Sequence, residues 1–146
     1  MTGGERVAAA ARLWLGTPYR HQAACRGAGA DCLGLVLGVW RELQGDLPEP
    51  VPAYTADWSE AGCREDLLAA AARWMLPVQD GAESPGDVLV FRMRAGAVAK
   101  HLGIVSAAGP APRFIHAYSG HAVVETALSE PWARRLAARF RFPEGA

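Results

Sequence analysis

The chain has 146 residues, 51% of them apolar and 21% charged, a composition that suits one globular domain with its own core and not a disordered segment. Fifteen basic residues balance fifteen acidic ones, so no charge excess argues for wrapping nucleic acid or lying on an anionic membrane. A neutral, polymeric or zwitterionic substrate suits better. The three cysteines, Cys25, Cys32 and Cys63, cannot all pair and form no Cys-x-x-Cys, which argues against a disulfide scaffold and against a structural zinc site of the usual spacing.

The segment Met1-Thr2-Gly3-Gly4-Glu5-Arg6 lacks a basic stretch followed by an apolar one, and no apolar run approaches the length of a membrane span. Synthesis in the cytoplasm without a signal peptide, and no membrane insertion, are the expectation. From Thr2 to Leu15 an alanine-rich run with Val7, Leu13 and Trp14 predicts a first helix, stopped by Gly16-Thr17-Pro18. Tyr19 to Ala30 has neither helical nor strand period and contains Gly27 and Gly29, so it reads as an ordered loop.

A second helix is predicted from Cys32 to Leu43, apolar nearly all round and therefore central. Asp31 precedes it as an N-cap, and Cys32 then falls in the first turn, where the helix dipole favours a thiolate. Plain packing is the other reading, because cysteine is among the most buried residues. Gly34 and Gly38 lie four apart and leave a strip open to close backbone approach, at about 1 kcal/mol each in helix propensity.

Leu47 to Pro52 is too rich in proline for regular structure. Ser59 to Met75 predicts a third helix with a stripe of Leu67, Leu68, Ala71 and Trp74. After Ser84-Pro85-Gly86-Asp87 the pattern turns to strands at Val88–Met93, His101–Ser106, Arg113–Tyr118 and Ala122–Thr126, spaced as an antiparallel meander. A helical turn capped by Ser129 and a last strand from Leu136 to Phe142 complete a single α+β domain over residues 1–146. Trp14, Trp40, Trp74 and Trp132 are spaced as core anchors, and Trp58 reads as core cover. The C-terminal arginines Arg134, Arg135, Arg139 and Arg141 read as a solvated face.

A nucleophilic thiol needs a base and donors for an oxyanion. Of the four histidines, His101 opens a strand and His116 lies inside the next one. Antiparallel neighbours can place them on one face, with His101 as base for Cys32 and His116 fixing its tautomer. A satisfied polar role for each histidine stays open, as does a weaker zinc reading of the same three residues, which lack an evident fourth ligand. His21 is close in sequence to Tyr19 and is either part of a site or a solvated loop residue; His121, beside Gly120, reads as exposed.

Five segments stand in a fixed order: Gly16-Thr17-Pro18-Tyr19-Arg20, Asp31-Cys32-x-Gly34-Leu35-Val36, Pro85-Gly86-Asp87-Val88-Leu89-Val90-Phe91, His101-x-Gly103-Ile104-Val105 and Phe114-Ile115-His116-Ala117. In that order they resemble the NlpC-type cell-wall peptidases, papain-like cysteine endopeptidases that cut peptidoglycan stem peptides. The resemblance runs from about Leu13 to Ala117. It implies a nucleophile helix packed on an antiparallel sheet, Cys32 as nucleophile, His101 as general base, His116 as orienting residue and the Tyr19 hydroxyl as an oxyanion donor. The implied bond lies between D-glutamate and the diamino acid of the stem, and no metal or organic cofactor is implied.

Two departures stand out. Leu33 follows the nucleophile where the family commonly has serine, and His21-Gln22-Ala23-Ala24 replaces an aromatic and glycines. The latter spelling, with Gly27-Ala28-Gly29 before Asp31-Cys32, resembles peptidases encoded among tail genes of phages and gene transfer agents. It implies tail or baseplate proteins as partners, no direct nucleic-acid contact, and action on the cell wall from an assembled particle. Two other readings are a catalytically silent tail adaptor or plug, and an amidase or acyltransferase using the same Cys–His chemistry elsewhere.

Overall fold

The computed structural model describes residues 2–48, 65–79 and 83–143. Helix α1 (Gly3–Arg12) begins with a reciprocal cap: the Glu5 N–H donates to the Thr2 hydroxyl and the Thr2 N–H to the Glu5 carboxylate, both at 3.0 Å. Its buried side is Val7, Ala8, Ala10 and Ala11, small enough for the helix to lie close to the sheet. Gly4 permits a closer approach still. A Cβ there would lie 2.2 Å from the Pro85 carbonyl oxygen, so the helix start is seated on the Pro85-Gly86 turn. The helix ends three residues short of the predicted Leu15, and Leu13 to Gly16 form turns.

The stretch expected to be a plain loop contains a two-stranded hairpin, β1 (Ala24–Cys25) and β2 (Gly29–Ala30). The weak sequence signal is understandable, because a two-residue strand has no room to display a period of two. Helix α2 (Cys32–Gln44) follows directly, is buried from Gly34 through Trp40, and ends at Gly45 in the left-handed region (φ 83°). The two helical glycines serve different neighbours. At Gly34 a Cβ would meet the Ala23 carbonyl oxygen at 1.8 Å, a backbone approach as expected; at Gly38 it would meet the Trp14 indole at 2.2 Å, a side chain instead.

Helix α3 (Asp66–Trp74) buries Leu67 and Ala71; the expected residues 59–64 of this helix, together with Trp58 and Cys63, lie outside the described residues. Strands β3 (Leu76–Pro77), β4 (Val88–Arg92), β5 (Ala99–Ala107), β6 (Arg113–Ala117) and β7 (Val123–Ala127), the short helix α4 (Glu130–Ala133) and strand β8 (Leu136–Arg141) complete the chain. The six strands form one antiparallel sheet in the order β3-β8-β4-β5-β6-β7. The meander β4 to β7 is as predicted, while the last strand returns to the far side of β4. Ser129 holds the N-cap position of α4 but makes no side-chain capping bond.

Alternation along the strands gives the sheet two buried faces. Val88, Val90, Leu102, Ile104, Ile115 and Phe140 face the helices, together with Trp14, Leu35, Val39 and Trp40. Leu89, Phe91, Val105 and Phe114 form a second apolar cluster with Leu128, Trp132 and Leu136. Trp14, Trp40 and Trp74 are core anchors as expected, whereas Trp132 belongs to this second cluster. Of the arginines expected on a solvated face, Arg134, Arg135 and Arg141 are exposed and Arg139 is half-buried, and they also find partners. Arg141 pairs with the fully buried Asp87 at 2.9 Å, Arg139 with Glu83 at 2.8 Å, and Arg135 lies 5.7 Å from the centre of the Trp132 ring.

Candidate active site

The start of α2 is fixed by Asp31. One carboxylate oxygen accepts from the Gly34 N–H at 2.7 Å, and the other accepts from the Gln22 N–H at 2.7 Å. Gln22 sits at φ 62°, a left-handed turn that aims its N–H back at the cap. Tyr19 is held against the same point by a parallel bridge to Ala30, flanked by Ala30 N–H to Pro18 oxygen (3.0 Å) and Arg20 N–H to Ala30 oxygen (3.1 Å). Two segments therefore meet at Cys32 with their geometry set by backbone bonds.

Opposite lies β5. Its register with β6 runs to Ile104↔Ile115, while its pairing with β4 continues through Leu102 and His101. The Cys32 thiol donates to the Lys100 carbonyl at 3.8 Å, and the Leu102 N–H also bonds to the sulfur. The sulfur thus rests on the backbone flanking His101. Cys32, His101 and Tyr19 line one cavity of about 230 Å³, with His21, Lys100 and Tyr118 among its other walls.

His101 and His116 are brought together: His101 Nε2 and His116 Nδ1 are 2.7 Å apart, and His116 Nε2 is 2.9 Å from the Thr126 hydroxyl. Both rings are buried. Carrying the register of β5 and β6 on by one step puts Gly103, not His101, beside His116, so the two histidines meet diagonally. Gly103 makes room for this face, since a Cβ there would lie 2.6 Å from the Phe114 ring. The Trp132 ring centre lies 5.7 Å from that of His101 and 5.2 Å from that of His116.

The protonation states differ from the thiolate that the helix dipole alone suggests. Burial pushes the Cys32 thiol up to about 12, helped by the Asp31 charge, against the lowering effect of the Leu102, Leu33 and Cys32 N–H groups. Burial pushes His101 down to about 3, with the His116 charge adding to it, and His116 down to about 4, with His121 adding. The resting site is a neutral thiol near two neutral imidazoles. Burial and the Cys32 and Asp31 charges raise the Tyr19 phenol, which keeps it a donor.

The other sequence candidates fall into place around this group. His21 lines the cavity with its ring 3.7 Å from the Asp31 carboxylate. His121 is exposed and stacks on Tyr118 with ring centres 5.3 Å apart. Cys25 is exposed on β1. Among the described residues no group of three or more His, Cys, Asp or Glu side chains is placed to hold a metal ion, and no helix is long and apolar enough to cross a membrane. Thr126 and Trp132 are the neighbours that sequence reasoning missed. A threonine at strand spacing carries no signal of its partner, and a tryptophan in an apolar turn looks like packing.

Neither a family model nor a curated protein matches the sequence. Solved structures do match. An NlpC/P60 family protein from Bacillus cereus ATCC 10987 superposes with a TM-score of 0.65 at 16% identity, over 97% of this chain and 40% of its own. The NlpC/p60 domain of the peptidoglycan hydrolase SagA gives 0.59 at 21% identity over 97% of this chain and all of its own. A lipoprotein-like NLP/P60 family protein from Staphylococcus aureus subsp. aureus Mu50 gives 0.59 at 20% identity, over 97% of this chain and 42% of its own. The chain therefore spans less than half the length of the Bacillus and Staphylococcus proteins and the full length of the SagA domain. Helices and antiparallel sheet together form the papain-like NlpC/P60 fold.

Proposed function

We propose that the chain is a cysteine endopeptidase that cuts peptidoglycan stem peptides, at the bond between D-glutamate and the diamino acid. The observation that carries this reading is the Cys32 thiol at the start of α2, sharing a cavity with a neutral His101 that His116 contacts at 2.7 Å. The fold supports it, being shared with a domain described as that of a peptidoglycan hydrolase.

In this reading the thiol proton passes to His101 as sulfur attacks the amide carbonyl. Starting from a neutral pair, proton transfer and attack proceed together, and the thiolate character that develops is met by the Leu102 and Leu33 N–H groups. The carbonyl oxygen gains negative charge and is held by the Cys32 N–H and the Tyr19 hydroxyl. Collapse breaks the C–N bond, His101 returns its proton to the leaving amine, and a thioester remains. Water, deprotonated by His101, attacks the thioester to release the carboxylate and restore the thiol.

The spelling of residues 21–24 and 27–29 supports a place in a phage-like tail that opens the wall locally, with tail or baseplate proteins as partners. One observation favours a second reading, a silent tail adaptor: the thiol is held protonated by burial. Digestion of purified peptidoglycan followed by mass spectrometry separates the two. Muropeptides ending in D-glutamate, produced by the wild type and absent with Cys32→Ala, are expected. Intact stems with folded wild-type protein overturn the peptidase reading. Detection of the chain in purified phage-like particles tests the tail assignment.

A further inference from the structure

On the sheet face away from the long helices, polar side chains from adjacent strands form a diagonal row: His101 on β5, His116 on β6 and Thr126 on β7. The register His116↔Val124 puts Thr126 two residues beyond the direct partner of His116, the same kind of diagonal step that joins the two histidines. The contacts are 2.7 Å between the rings and 2.9 Å from His116 Nε2 to the Thr126 oxygen. We propose that Thr126 is a positioning residue whose hydroxyl oxygen accepts from His116 Nε2–H and so fixes the tautomers of both histidines. The proposal deepens the peptidase reading and rests on it for the role of His101.

Each neutral imidazole carries one N–H, and the 2.7 Å contact holds one hydrogen, so the row has two self-consistent proton arrangements. In the first, His116 Nε2–H donates to Thr126, His101 Nε2–H donates to His116 Nδ1, and His101 Nδ1 keeps a bare lone pair. In the second, every donor is reversed, and His101 Nδ1 carries a hydrogen and can take no proton. Only the first leaves His101 competent as a base through Nδ1.

The first arrangement also pairs each Nε2–H, the tautomer that neutral histidine favours intrinsically. Without the threonine oxygen it would strand a buried N–H, whereas the reversed arrangement would strand only a lone pair, the lesser cost. Thr126 thus decides which way the row points. The other titratable groups around it leave this logic intact: Tyr118 and His121 lie beside His116, Cys32 lies across the cavity, and Glu125 is turned to Ser106 and Arg113.

The test is nitrogen-15 NMR of the histidine rings at neutral pH in the full-length wild type, Thr126→Val and Thr126→Ser, alongside peptidoglycan hydrolysis. The wild type is expected to show Nε2–H on both rings, the serine variant the same, and the valine variant Nδ1–H on both. Hydrolysis should lose about tenfold in kcat with KM unchanged in the valine variant, the worth of one hydrogen bond to a group that turns charged, and return with serine. A wild-type His116 carrying Nδ1–H overturns the proposal even if the valine variant does not fold, and so does an Nε2–H pattern that survives in Thr126→Val. A wild type that does not hydrolyse peptidoglycan overturns the peptidase reading instead, and the spectra still decide the tautomer claim.

Discussion

The two faces of the sheet are both buried, yet they are built for different work. On the helix side, Val90, Leu102, Ile104 and Ile115 meet Leu35, Val39 and Trp14, an apolar contact between long elements. On the other side Phe91, Phe114 and Trp132 surround His101 and His116 beneath a four-residue helix. The first face uses burial to hold the chain together. The second uses burial to keep two imidazoles uncharged, at the cost of carrying polar atoms inside that must be paired with each other.

The largest effect that would sharpen this contrast is on the reaction. His101→Ala removes the base and should lower kcat/KM on peptidoglycan by about 10²–10⁴-fold, the range for general-base catalysis, measured on the folded fraction because the change also opens a cavity and leaves His116 without its 2.7 Å partner. His116→Gln, which keeps a hydrogen-bonding group beside His101, should lose less. A His101→Ala protein that unfolds with lower urea, at full activity, would erase the distinction between the faces. Next comes the helix side. Ile104→Ala, at a fully buried position, should cost about 2–5 kcal/mol of stability in a denaturation curve, with activity of the folded fraction retained. The same shortening at the partly buried Leu136 should cost less.

Mild acid should act on the second face. Both histidines have folded pKa values below the ordinary value, about 3 for His101 and about 4 for His116. The unfolded chain therefore binds more protons than the folded one as pH falls below about 6.5. Stability is full above that point and is lost progressively down to about 4 and 3. Each histidine contributes up to about 1.4 kcal/mol per pH unit in that window. Thermal unfolding at a series of pH values should show this slope in the wild type and a shallower one in His116→Gln. Equal slopes would mean that His116 is not held neutral.

These contrasts also show which features are legible in the sequence alone. Helices α1 and α2 were legible because alanine runs, the Asp31 cap and the closing Gly45 are local signals, and β4 to β7 because alternation and turns are local too. The placement of β8 beside β4 was not, since nothing in residues 136–142 names its partner; Arg141 finds Asp87 54 positions away. At the site, the common face of His101 and His116 followed from strand spacing, while their diagonal contact depended on where the ladder of β5 and β6 stops. The thiol was the instructive failure. A helix N-terminus lowers a thiol pKa, but the depth at which Cys32 sits between α2 and β5 is a tertiary property, and burial outweighs the dipole.

That balance can be shifted from within the cap. Asp31 is the second cause, after burial, of the raised thiol pKa, and it also accepts from the Gly34 and Gln22 N–H groups. Asp31→Asn keeps an oxygen for Gly34 and removes the charge, but its amide nitrogen cannot accept from Gln22, which should cost about 1 kcal/mol of stability. With the negative charge gone, less work is needed to ionise the neighbouring sulfur. The pH midpoint for iodoacetamide labelling of Cys32, which burial and the Asp31 charge raise above the ordinary thiol range in the wild type, should therefore move down in Asp31→Asn. Cys25→Ser and Cys63→Ser in the background leave one thiol to follow. An unchanged midpoint would mean that burial alone sets the thiol, and the helix cap would then belong to the structural side of the molecule, not to the reactive one.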